Sequence, residues 1–241
     1  MFKLKNFEPH QRLFTYKVAF DGGSAPNPFY QVCTLAICKP KIRSVAKRGD
    51  VVLGLGCGDE ESRIVYCMVV GAAVPWEKYI DRCRSGSLEV EGKIYKNLNK
   101  KIPRNTNDQG DCIWKEAAIY MNSLDSWSSH GGEDDFNRDV KNGKNVLIGD
   151  VYWYFGNGDT HKIFLSGDLK EIIPGRGHRS NSNDDFHTQF VEFFNNKLVE
   201  CNIINFGMLG IPKYDPKKTD KLTCSRCRAE ERDFDDAGEN H

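Results

Sequence analysis

Residues 21–56 read DGGSAPNPFYQVCTLAICKPKIRSVAKRGDVVLGLG, and three textures follow one another there: a bent loop, a buried strand leading into a basic helix, and a second strand. Gly22 and Gly23 permit positive φ, while Pro26 and Pro28 fix their own φ and hold Ala25 and Asn27 extended. Such a loop presents side chains, here Asp21 and Asn27. Val32 to Cys38 is an apolar run of strand length, and Pro40 stands where an N1 proline opens a helix with Ile42, Val45 and Ala46 on one face. Gly49 is placed to end that helix. Its other face carries Lys39, Lys41, Arg43, Lys47 and Arg48 with no acid among them. Two readings fit such a face, a solvated surface and an edge that contacts phosphate.

Working outward, apolar runs bounded by turn residues predict strands at 14–20, 51–55, 64–73, 146–155 and 203–208. Helical periodicity appears at 40–47, 75–83, 114–121 and 184–199. In the last of these Phe186, Phe190, Phe193 and Phe194 form an amphipathic stripe, with Asn183 or Asp184 as its cap. GLGCG at 54–58 lacks the Lys-Ser/Thr of a phosphate loop and is not followed by a long helix, so it reads as a hairpin closed by Asp59 to Ser62. Strands that succeed one another without regular long crossovers predict a mixed α+β domain on a bent or barrel-like sheet with flanking helices. The expected organisation is one domain over 1–215 and a polar tail over 216–241.

The 241 residues carry 34 basic and 34 acidic side chains, so no global field announces a nucleic acid or a membrane, and every electrostatic argument is local. The first 20 residues lack a signal-peptide core, and no apolar run approaches the ~20 residues of a membrane span. A cytoplasmic protein with no membrane partner is expected. Nine cysteines, with Cys33, Cys38 and Cys67 in apolar strand settings, suit reduced core thiols. Cys224 and Cys227 form a CxxC, half of a zinc knuckle. No second pair stands at the usual spacing, and completion would call on His241 or Cys201. No resident cofactor is expected.

Long polar segments lie at 85–107, with a second basic patch from Lys93 to Arg104, and at 123–144. Two clusters carry more chemistry. Pro174-Gly175-Arg176-Gly177-His178-Arg179 sets two guanidiniums and an imidazole on a backbone freed by glycine, which suits an anion, although a basic surface turn has the same composition. Gly149 to Gly156 reads GDVYWYFG, a strand with aromatics on both faces. Burial on two sides explains that pattern, and so does a stacking platform for a planar ligand such as a base.

The strings APNPF, CTLAICKPKIR, GDVVLGLG, RIVYCMVV, LDSWSSH, NVLIGDVYWYFG and PGRGHR occur in an order that resembles the nucleotide modification associated domain 2 family of bacteria and their phages, over about residues 14–212. The resemblance implies a role around DNA with chemically modified bases, in modification or anti-phage defence systems that include partner proteins. Other members carry a tryptophan-histidine pair upstream of LDS and a histidine after it, where this chain reads Tyr120-Met121-Asn122 and Trp127-Ser128-Ser129-His130. The strand order is more distantly similar to the small PUA, EVE and ASCH barrels, which hold a base in a pocket.

A binding module for modified bases or nucleotides follows as the expectation. Asp21 and Asn27 are the candidate edge readers, Trp153 and Tyr154 the stacking rings, and Lys39, Lys41, Arg43, Arg176 and Arg179 the phosphate contacts. The alternative is an enzyme of nucleic-acid bases or nucleotides, cleaving a glycosidic or phosphodiester bond with Asp21 or Asp125 as carboxylate and His178 as acid or base. A third reading is a protein-interaction subunit working through the 123–144 loop.

Overall fold

The computed structural model describes residues 1–19, 21–102, 109–114, 133–156, 161–175 and 177–212. The expected helix at 114–121, most of the 123–144 loop and the tail with its CxxC fall outside the described residues.

Strand β1 (Leu13–Lys17) leads through the glycine-proline loop to β2 (Cys33–Leu35) and helix α1 (Pro40–Val45), which opens on its proline as the sequence predicts. Gly49 does not cap this helix. Ala46 already leaves it in extended geometry, and Gly49 instead turns the chain at φ 89°. Strand β3 (Val51–Leu55) has the expected bounds. Strands β4 (Ile64–Val69) and β5 (Ala72–Pro75) follow, then α2 (Trp76–Ser85). A small hairpin of β6 (Leu88–Val90) and β7 (Lys93–Tyr95) stands in the segment read as loop. Helix α3 (Glu133–Phe136) runs into a π-helical turn over Asn137–Asn142, followed by β8 (Asn145–Gly149) and β9 (Tyr152–Tyr154). The PGRGHR segment feeds a strand, β10 (His178–Asn181), and α4 (Asp184–Glu200) follows with Asn183 capping the Asp185 amide. The two-residue β11 (Gly207–Met208) comes last.

Six strands form one mixed sheet in the order β10-β1-β3-β4-β9-β11, and three form a second in the order β2-β8-β5. The two sheets share a bend. The runs predicted as single strands at 64–73 and 146–155 are each one chain segment that kinks and changes sheet, so that β4 pairs with β9 and β5 with β8, both antiparallel. Backbone hydrogen bonds from Val69 to Val151 and from Gly71 to Ile148 carry the pairing through the kink. Glycine is required there: a Cβ on Gly149 would lie 2.4 Å from the Val69 carbonyl oxygen, closer than any side chain permits. The result is an α+β fold on a bent sheet, with no closed barrel among the described strands.

Alternation divides the large sheet into two faces. Leu53, Cys67, Trp153 and Phe155 face α4, whose Phe190, Phe194 and Leu198 complete that core. Phe14, Tyr16, Val52, Tyr66, Met68, Tyr152 and Tyr154 face the other way, onto Cys33, Leu35, Ile42 and Leu147 of the second sheet and α1. The aromatics on both faces of β9 are thus explained by burial on two sides.

Candidate functional site

The strand registers build a row of side chains across the second face. His178 pairs with Tyr16, Tyr16 with Gly54, Gly54 with Tyr66, Tyr66 with Tyr154 and Tyr154 with Met208. Gly54 is the gap in this row. A Cβ there would meet the Tyr66 ring at 2.3 Å, so its absence lets that ring cross β3. The Tyr16 and Tyr66 hydroxyls then meet at 2.9 Å. Sequence reasoning passed over both tyrosines, although the alternation of Phe14 with Tyr16 in β1 already sets them on one face.

Asp21 closes the row from above. The Tyr154 hydroxyl donates to its Oδ1 at 2.5 Å, and its Oδ2 has no hydrogen-bond partner. The residue is 2% exposed. Burial raises the carboxyl from its ordinary 3.8 to about 6, against the pull of the Tyr154 hydroxyl, the Gly23 amide and the Arg63 charge toward the anion. Burial with neighbouring anions likewise holds the Tyr154 phenol well above its usual range. A buried carboxyl with one satisfied oxygen and one unsatisfied oxygen is an unfilled acceptor. When protonated it becomes a donor, so the group can match either kind of base edge.

At the open end of the row, two basic clusters far apart in sequence converge. Lys39, held in left-handed geometry at φ 45°, places its ammonium 5.3 Å from the centre of the Tyr16 ring. The His178 pKa is pushed down by burial first, then by the charges of Lys39 and Lys41. An anion bound between these groups would reverse that shift.

The remaining expected site residues lie elsewhere. Trp153 is fully buried, with its ring 5.2 Å from that of Phe194 in edge contact, so it is a core residue and offers no stacking face. Tyr154 is equally buried and acts through its hydroxyl. Asn27 is no edge reader. Its Oδ1 accepts from the Lys101 ammonium at 2.5 Å and its Nδ2 donates to the Gln109 carbonyl at 2.8 Å, which anchors the loop to a buried network. Arg43 is fully buried, donating to the Cys38 and Asn145 carbonyls at 2.6 and 2.8 Å beside Asp139 at 3.6 Å, so it ties α1 to the π-helical turn and cannot reach phosphate. Arg179 alternates to the opposite face from His178 and bonds the Glu171 carbonyl, away from Lys39 and Lys41. Four strand spacings of about 4.8 Å separate His178 from Tyr154, so His178 and Asp21 lie toward opposite ends of the row. Arg176, Asp125, Cys224, Cys227 and His241 lie outside the described residues. No group of three or more potential metal ligands occurs among the described residues, nor is any helix there long and apolar enough to cross a membrane.

The described residues thus form an α+β fold on a bent sheet, with a row of tyrosines beside a glycine-proline loop. The family model for nucleotide modification associated domain 2 matches residues 10–205, and the chain belongs to that family. No curated protein and no solved structure matches it.

Proposed function

We propose that this protein is a nucleic-acid or nucleotide binding module that recognises a modified base, in the setting of a DNA-modification or anti-phage system. Family membership supports the nucleotide context. The observation that carries the finer reading is the unpaired, buried Oδ2 of Asp21, an acceptor whose desolvation cost is recovered when a base N–H fills it. Lys39 and Lys41, whose charges act on the neighbouring His178, hold phosphate oxygens and supply affinity without sequence preference. Asp21 decides which base is accepted. Because Asp21 is 2% exposed, entry of a base is coupled to local displacement of the chain around it. The module acts inside the cell, alongside partner proteins of the same system, and needs no resident cofactor.

One observation favours a second reading. A carboxyl that keeps its proton to about pH 6 is suited to general acid catalysis, as in hydrolysis of a glycosidic or phosphodiester bond. The two readings separate when the protein is incubated with plain and modified DNA and the mixture is analysed by mass spectrometry. Salt-sensitive binding with unchanged substrate supports the module, and product that disappears in Asp21→Asn supports the enzyme.

A further inference from the structure

We infer that a second site, the cleft between residues 28–31 and residues 206–208, binds the planar base of a nucleotide. This rests on the reading of the protein as a nucleotide binder, but it uses none of the residues of the Asp21 row except Met208. The cleft encloses about 550 Å³, within the roughly 300–1,000 Å³ range of small-molecule sites. Phe29, Tyr30, Tyr152, Phe206 and Met208 are among its lining, and of these Tyr30, Phe206 and Met208 keep surface open to solvent while Phe29 and Tyr152 are buried behind them. The accessible rings of Tyr30 and Phe206 suit a flat heterocycle better than an aliphatic chain, since a planar ligand gains a stacking partner from each.

The lining is held in place. The Tyr152 hydroxyl donates to the Pro28 carbonyl at 2.8 Å, which pins the loop to the sheet. The Asn97 amide donates to the Tyr30 carbonyl at 3.4 Å from the other side. Tyr30 and Gln31 are consecutive non-glycine residues in left-handed geometry, at φ 65° and 64°. Residues of that kind adopt it only when their surroundings impose it, and such positions gather at ligand sites. Met208 is 38% exposed, an apolar side chain left open at the mouth.

Charge at the rim fits a phosphate. The exposed Lys100 ammonium lies 5.8 Å from the centre of the Tyr30 ring. Asp150, which also lines the cleft, is ion-paired with Lys93 at 2.7 Å, which reduces its repulsion of an anion. A base between the rings with its phosphate toward Lys100 satisfies both features, which assigns the class of ligand as a nucleoside monophosphate or one residue of a strand.

The test is calorimetric titration of the full chain with the four deoxynucleoside monophosphates, the matching nucleosides and inorganic phosphate. Wild type is expected to bind the monophosphates. Met208→Trp, which fills the mouth from an exposed position, should weaken them about tenfold or more, the loss of one stacked base. Lys100→Ala should weaken the monophosphates severalfold and leave the nucleosides unchanged. Wild-type affinity in both variants, or binding of inorganic phosphate alone, overturns the inference. If Asp21→Asn weakens binding and Met208→Trp does not, the cleft is refuted while the Asp21 reading survives. If only Met208→Trp weakens it, the cleft stands without Asp21.

Discussion

The Tyr154 hydroxyl reaches the Asp21 carboxyl at 2.5 Å, joining β9 to the first residue of a loop that departs from β1, and it leaves the second carboxyl oxygen unpaired in the interior. Two residues earlier on the same face, Tyr152 holds the Pro28 carbonyl at 2.8 Å. Two tyrosines of one three-residue strand thus fasten both ends of the glycine-proline loop. Their hydroxyls decide how the loop sits over the sheet, and the unfilled acceptor lies where they fix it.

Stability should fall as pH rises through the range in which Asp21 titrates. Burial lifts its folded-state pKa from 3.8 to about 6, so between those values the folded chain holds a proton that the unfolded chain has released. The favourable contribution is therefore complete below about pH 4 and lost above about pH 6, amounting to at most about 3 kcal/mol. Urea unfolding of wild type and Asp21→Asn across pH 4–8 checks this, because the difference between them isolates the one group. A difference that stays flat over that range would contradict the assignment.

Tyr154→Phe removes the donor that most favours the Asp21 anion. It should cost about 1.5–3 kcal/mol at pH 8, as expected for a hydrogen bond to a charged group. It should also move the pH-dependent window upward, which a simple packing defect would not do.

Arg43→Ala is expected to act on folding and not through lost phosphate contact. It leaves the buried Asp139 with only the Arg138 guanidinium at 3.9 Å and strips the Cys38 and Asn145 carbonyls of their donor, a loss of up to about 3–5 kcal/mol. Thermal melting should show the drop, and at temperatures where the variant remains folded its DNA affinity should equal that of wild type.

Lys39→Ala and Lys41→Ala should weaken DNA binding nearly equally for all sequences, each reducing the slope of log affinity against log salt by about 1. The His178 resonance supplies a second readout. Its pKa is held down by burial and these two charges, so a bound nucleotide phosphate should raise it in an NMR titration, and the free-state value should also rise in either lysine variant.

Much of this was legible before the structure. β3, the proline-initiated α1 and the capped, phenylalanine-striped α4 follow from local rules that tertiary packing did not override. The candidacy of Asp21, Lys39, Lys41 and His178 comes from loop and charge chemistry alone. The division of the basic residues was not, because a cation such as Arg43 reads the same whether it faces water or a buried Asp139 96 positions on. The bend was hidden for a similar reason. Gly71 and Gly149 look like ordinary strand interruptions until the Tyr95 hydroxyl is seen to crowd the first and the Val69 carbonyl the second. Tyr16 and Tyr66 become a polar row only through register across Gly54, which no single segment encodes.

Equilibrium binding of single-stranded oligonucleotides, identical except for one plain or hydroxymethylated cytosine, to wild type and Asp21→Asn tests base reading by Asp21 most directly. Wild type should distinguish the two strands, and Asp21→Asn should lose most of that preference, about tenfold for one hydrogen bond to a buried group, while keeping the same salt dependence. An Asp21→Asn variant that discriminates as well as wild type would contradict it.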